Sequence, residues 1–174
     1  MGLVIEDGSI VAGAEAYIDV AYADTYHVNR GNDAWITLTV PQKEAAIRRA
    51  TDYMGEAYRL KWAGKRVGIT QALDWPRLTV PRKDAIGFQY STQVYYDHKS
   101  IPEEVKKVSA ELALRAIAGD LAPDLKQGVR SKKIGPMETT YDTSSPQSKR
   151  YRAVDMMLSV FFSGGGATMG LCRV

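Results

Sequence analysis

The stretch PEEVKKVSAELALRAIAG, residues 102–119, constrains this chain more than any other, because Val105, Val108, Leu112 and Ala116 recur at the 3.6-residue spacing of a helix with one buried face. Ala113 and Ile117 widen that face. Pro102 opens the helix, Glu103 and Glu104 sit at its positive end, and Gly119 marks the exit. A helix this strongly one-sided must lie against other helices, so a mainly α fold of about four helices is expected around it.

Three further helices satisfy that requirement. Asp19 precedes VAYADTYHVNRG, where Val20, Ala23 and His27 share a face and Gly31 supplies a left-handed stop, which predicts a helix over 20–30. Thr39 and Gln42 have capping-box spacing, and Ala46, Ile47, Ala50, Met54 and Ala57 form one stripe, predicting a helix over 40–57. Tyr151, Val154, Met157, Leu158 and Phe161 keep the same period before Ser163 and three glycines stop it.

Between these elements the patterns are shorter. Residues 3–18 read as an extended N-terminal arm. YRLKWAGKRVG reads as a basic, aromatic loop, followed by a short turn ITQALDWP, with Trp62 and Trp75 packed together. The Tyr-rich stretch 77–100 reads as a long loop with a short strand near 92–96, and long loops in compact proteins are often contact surfaces. Two alternating runs around Gly135-Pro136 predict a small β-hairpin, with strands at 128–134 and 137–142. TSSPQSKR has no apolar content and should be solvated, and Gly164-Gly165-Gly166 should hinge a short apolar tail. The organisation expected is an arm over 1–18, one helical domain over 19–162 with its hairpin near 128–142, and a glycine-hinged tail over 163–174.

Composition narrows the chemistry. With 45% hydrophobic and 25% charged residues in 174, one ordinary core is expected. No run of about 18 apolar residues occurs, so no membrane partner is expected. The start MGLVIEDGSIV lacks the basic n-region of a signal peptide, and the chain is expected in the cytoplasm when made. Cys172 is the only cysteine, which rules out an internal disulfide, and with His27 and His98 alone beside it no zinc cluster is expected. The net charge is only +3, yet the segment 126–152 holds seven basic residues against Glu138 and Asp142, so the rest of the chain is net negative.

No nucleophile–base pair, paired carboxylates or phosphate loop stands out, so neither an enzyme nor a bound cofactor is expected. The triple glycine is not followed by the Lys-Ser/Thr of a nucleotide loop. His27 lies on an apolar stripe and reads as a hydrogen-bonded core histidine, and Cys172 as a small buried hydrophobe. The basic hairpin has two readings. Either lysines on its edge serve only to block wrong pairing, or Lys126, Arg130, Lys132 and Lys133 face a polyanion, for which charge tracking phosphates suffices. The rings of Tyr58, Trp62 and Trp75 beside KRVG suit single-strand stacking or core packing.

The ordered series AYADTYHVNRGN, EAAIRRATDYM, QALDWPR, IPEEVKKVSAELALRA, KKIGPMETTY and YRAVDMML resembles a family of small phage head-tail connector proteins, whose members are often labelled DnaT-like single-stranded-DNA-binding proteins. The resemblance implies a helical connector fold and a structural virion protein of the neck. It further implies a dodecameric ring of identical subunits beneath the portal protein, joined to a tail-side protein, with genomic DNA passing nonspecifically through the lumen. On that reading Tyr151, Val154, Leu158, Phe161, Phe162, Met169, Leu171 and Val174 grip the portal or a neighbour. The alternative is an accessory protein that binds single-stranded DNA.

Overall fold

The computed structural model of the protein describes residues 2–84, 94–124, 131–134, 137–140 and 149–163, the two short pieces 131–134 and 137–140 by backbone alone. Within them the fold is mainly helical with a small antiparallel hairpin, as the sequence implies. The helices are α1 (Val20–Val28), α2 (Asp33–Ile36), α3 (Val40–Tyr58), α4 (Glu103–Ile117) and α5 (Arg152–Leu158), the last running into a 3-10 turn, Ser159–Phe161. Two strand pairs complete it: β1 (Lys65–Arg66) with β2 (Arg77–Leu78), and β3 (Ser131–Ile134) with β4 (Met137–Thr140).

α3 and α4 form the most extensive helix contact, and α5 and α1 close it on other sides. The reason is legible in their faces. Ala46, Ile47, Ala50 and Met54 of α3 and Val105, Val108, Leu112 and Ala116 of α4 are buried. The alanines allow close approach, while each large apolar side chain removed from water contributes about 1.5–3 kcal/mol. α5 adds Val154 and Leu158, and the turn after it adds Phe161, all with zero exposure.

Local signals set the ends. The Asp19 carboxylate accepts from the Tyr22 N–H at 2.7 Å and caps α1, which ends two residues before its expected limit, with Gly31 at φ +66° just beyond. At α3 the Gln42 side-chain oxygen accepts from the Thr39 N–H at 2.9 Å, the Gln half of the box. Glu103 and Glu104 occupy the first turn of α4.

The segment before α1 lies on the core rather than away from it. Ala14, Ala16, Tyr17 and Ile18 are buried, and Ile5 bridges Ala16 in parallel. Glu6, 1% exposed, turns its carboxylate inward, where it accepts from the backbone N–H groups of Gly8, Ile10 and Val11 at 2.9–3.0 Å. Three donors replace the lost water and fold the segment back on itself.

The loop expected after α3 is instead tied from within. Lys65 pairs with Leu78 and Arg66 with Arg77. The buried Gln71 amide donates to the Leu73 and Pro76 carbonyls, and the Tyr17 hydroxyl accepts from the N–H groups of Asp74 and Trp75. Trp62 and Trp75 do pack together, edge to face at 5.7 Å. In the expected long loop, Pro81 bridges Tyr95, which falls inside the expected strand near 92–96; residues 85–93 lie outside the described set. The hairpin runs over 131–134 and 137–140, its Gly135-Pro136 turn and the TSSPQSKR link again lying outside it.

His27 shows how a polar group is accommodated in this core. Its Nε2–H donates to the Ala110 carbonyl at 3.2 Å, Nδ1 accepts from the Asn32 amide at 3.0 Å, and Trp35 lies 4.7 Å away. Burial lowers its pKa from the ordinary 6.5, so the native state holds it neutral. The unfolded chain therefore takes up a proton before the native chain does. The stability that neutral His27 carries is complete above about pH 6.5 and drains as pH falls below it. The urea midpoint should fall between about pH 7 and pH 5, and His27→Gln should flatten that slope; parallel slopes in both proteins would place the acid sensitivity elsewhere.

Candidate functional site

A surface hollow of about 640 Å³ opens where three distant segments meet. α3 and its exit supply Tyr53, Ala57, Tyr58 and Lys61; the exit of α4 supplies Leu121, Ala122 and Pro123; and Lys149, Arg150, Tyr151, Asp155 and Phe162 come from α5 and its flanks. Aromatic rings form its walls. Tyr53 meets Tyr151 edge to face at 5.5 Å, and Tyr58 stacks on Phe162 at 5.6 Å with 20° between the planes. Tyr53, Tyr151 and Phe162 are half-buried, so each ring is anchored by the core yet reaches the groove.

Hydrogen bonds fix these rings. The Tyr151 hydroxyl donates to the Leu121 carbonyl at 3.1 Å, and the Tyr58 hydroxyl donates to Asp155 Oδ1 at 2.8 Å. Burial raises the pKa of Tyr53, Tyr58 and Tyr151, which keeps all three phenols neutral donors at ordinary pH. Around them stand three exposed cations, Lys61, Lys149 and Arg150, of which Lys61 Nζ lies 4.9 Å from the Tyr58 ring centroid.

Charge gives the groove a direction. A neighbouring hollow of about 380 Å³ shares Tyr53, Leu121 and Ala122 but adds Asp52, Glu56 and Asp120 against Arg49 alone. An anionic chain would follow the Lys61–Lys149–Arg150 side and avoid the acidic one. From Tyr53 to Tyr58, the part of α3 that lines the groove is about 8 Å long, room for about two stacked nucleotides. A separate hollow by β2, with Arg82, Tyr95, Tyr96 and His98, is less basic and also carries Asp97.

The sequence-derived residues distribute unevenly over this map. Tyr151 and Phe162 line the groove, whereas Val154, Leu158 and Phe161 have no exposed surface and are spent on the chain's own core. Tyr58, Trp62 and Trp75 are at most 4% exposed, which makes packing their role, and Tyr53, Tyr151 and Phe162 are the half-buried rings that reach the groove. Lys132 and Lys133 belong to β3, opposite Thr139 and Glu138. Lys126, Arg130, Met169, Leu171 and Val174 lie outside the described residues. Even so, the basic segment is tied to the groove at both ends, since Pro123 and Lys149 line it and Lys149 Nζ donates to the Asp120 carbonyl at 3.2 Å.

Tyr53, Lys61 and Asp155 were not singled out by the sequence. Tyr53 and Tyr151 stand almost a hundred positions apart, and no local spacing reports that α5 will bring them together. The available hint was Tyr53, which lies on α3 beside, rather than on, the stripe of Ala46, Ile47, Ala50, Met54 and Ala57.

A family model described as "Putative DnaT-like ssDNA binding protein" matches residues 1–174. No curated protein and no solved structure matches the chain. The family description names single-stranded DNA as the ligand, which overturns the expected head-to-tail adaptor of a virion neck together with its portal, tail-side and ring partners. The physical counterpart is the burial of Val154, Leu158 and Phe161, which offer a neighbour nothing to hold.

Proposed function

The chain belongs to the DnaT-like ssDNA-binding protein family, and on that premise we propose that it binds single-stranded DNA along the groove between α3, the exit of α4 and α5. The observation that carries this reading is the coincidence of three half-exposed rings with three exposed cations in one open channel. Bases stack on rings whatever their sequence, and cations follow the phosphates, so binding needs no base-specific code. Tyr53, Tyr151 and Phe162 supply the platforms; Lys61, Lys149 and Arg150 neutralise the backbone. The work is binding, with no bond made or broken.

Salt tests it directly. With about three phosphates neutralised, the logarithm of affinity for a fluorescent oligonucleotide should fall against log salt with a slope of about −2. Replacing Lys61, Lys149 and Arg150 together by glutamine should weaken binding at low salt by more than about tenfold and flatten that slope. All three are exposed, so the thermal midpoint should hold. Unaltered affinity and slope in the folded triple variant would exclude this groove.

A further inference from the structure

Within the groove, Asp155 is out of place. A site for a polyanion gains nothing from a carboxylate, yet Asp155 lines it, half-buried, together with Tyr58, Tyr151 and Phe162. Its Oδ1 is taken by the Tyr58 hydroxyl at 2.8 Å, and the backbone of the same residue is held by the Tyr151 carbonyl at 2.9 Å, which fixes where the side chain stands. Oδ2 has no hydrogen-bond partner among the described residues. Phosphates have a better place beside Lys61, Lys149 and Arg150, which leaves Oδ2 an acceptor without a phosphate's use for it.

We propose that Asp155 makes the site selective, accepting a hydrogen bond from the exocyclic amine of a stacked cytosine and disfavouring thymine; the idea rests on the groove being the single-strand site. The chemistry is one-sided. Cytosine presents an N4 amine, a donor that suits a carboxylate, whereas thymine presents the O4 carbonyl in the same position, an acceptor that a carboxylate repels. Because the walls exclude part of the solvent, that difference is felt more strongly than it would be on an open surface.

The experiment compares oligo-dC and oligo-dT of about 12 nucleotides, at mildly alkaline pH, by fluorescence anisotropy on the wild type and on Asp155→Asn. Asparagine keeps an oxygen for the Tyr58 hydroxyl and brings an amide that can serve either base, so the fold should persist, as a thermal melt verifies. The wild type should prefer dC by about fivefold to tenfold. In Asp155→Asn the preference should collapse towards unity, chiefly because dT binds more tightly once a negative charge has left the groove. Tyr58→Phe, which frees Oδ1 and keeps the carboxylate, should retain the dC preference. Tight binding with equal affinities, or a preference that Asp155→Asn leaves in place, overturns the role of Asp155 while sparing the groove. No binding of either oligonucleotide by the folded wild type overturns both.

Discussion

Replacing Arg77 by methionine should cost the fold about 3–5 kcal/mol, the size of effect that follows when one member of a buried charged network is removed. Arg77 is 6% exposed, and its guanidinium is a three-way clamp: Nε donates to the Ala63 carbonyl at 2.9 Å, Nη1 to Asp74 at 3.2 Å and Nη2 to Gly64 at 2.9 Å. Burial pulls its pKa down from the ordinary arginine value, and the nearby Asp74 carboxylate works against that pull. Methionine fills much of the volume but leaves three carbonyls without donors, while the Asp74 carboxylate keeps Arg59 at 3.2 Å as its ion-pair partner. Lysine is the sharper control, since it keeps the charge and loses the fork; an ammonium cannot span three acceptors fixed for a planar group. Urea unfolding should therefore rank wild type above Arg77→Lys and Arg77→Lys above Arg77→Met. A lysine variant as stable as wild type would show that charge alone matters here.

Gly64→Ala should be almost as damaging, at about 2–4 kcal/mol, although only one methyl group is added. Gly64 has φ +67°, a left-handed conformation costing alanine about 1–2 kcal/mol. The new Cβ would also drive into the backbone carbonyl oxygen of Leu78, which is paired with Lys65 across β1–β2, so the pair must part to admit it. Backbone cannot swing aside as a side chain could. Because the Gly64 carbonyl is itself held by Arg77, the two sites share a network. The double variant should lose less than the sum of the singles in denaturant midpoints, and strict additivity would mean that the two act separately.

How far the sequence reported this structure depends on how local each cause is. α3 and α4 were legible because their stripes, caps and stops lie within the segments themselves, and Trp62 against Trp75 because two large rings flank one short loop. α2 was missed because four residues cannot show a period. β1 and β2 were missed because two-residue strands carry no alternation, and their pairing depends on Gln71, Arg77 and Tyr17, whose partners are backbone atoms without a sequence signature. The groove divides in the same way. Its basic flank and Tyr151 stood out from charge and periodicity, but Tyr53 and Asp155 became functional candidates only when α5 was laid against α3. Resemblance carried the family correctly and the virion role wrongly, since recurring helix faces record how a chain packs and not what it touches.

The close tie between the exit of α4 and the entry to α5 has one further consequence. Where a chain leaves and re-enters a fold at neighbouring points, as Asp120–Leu121 and Lys149–Tyr151 do, its stability depends only weakly on how much sequence is spliced between them. Each doubling of that excursion costs about 0.6 kcal/mol of closure entropy. Lengthening or shortening the sequence between Pro123 and Lys149 should therefore cost the helical scaffold little.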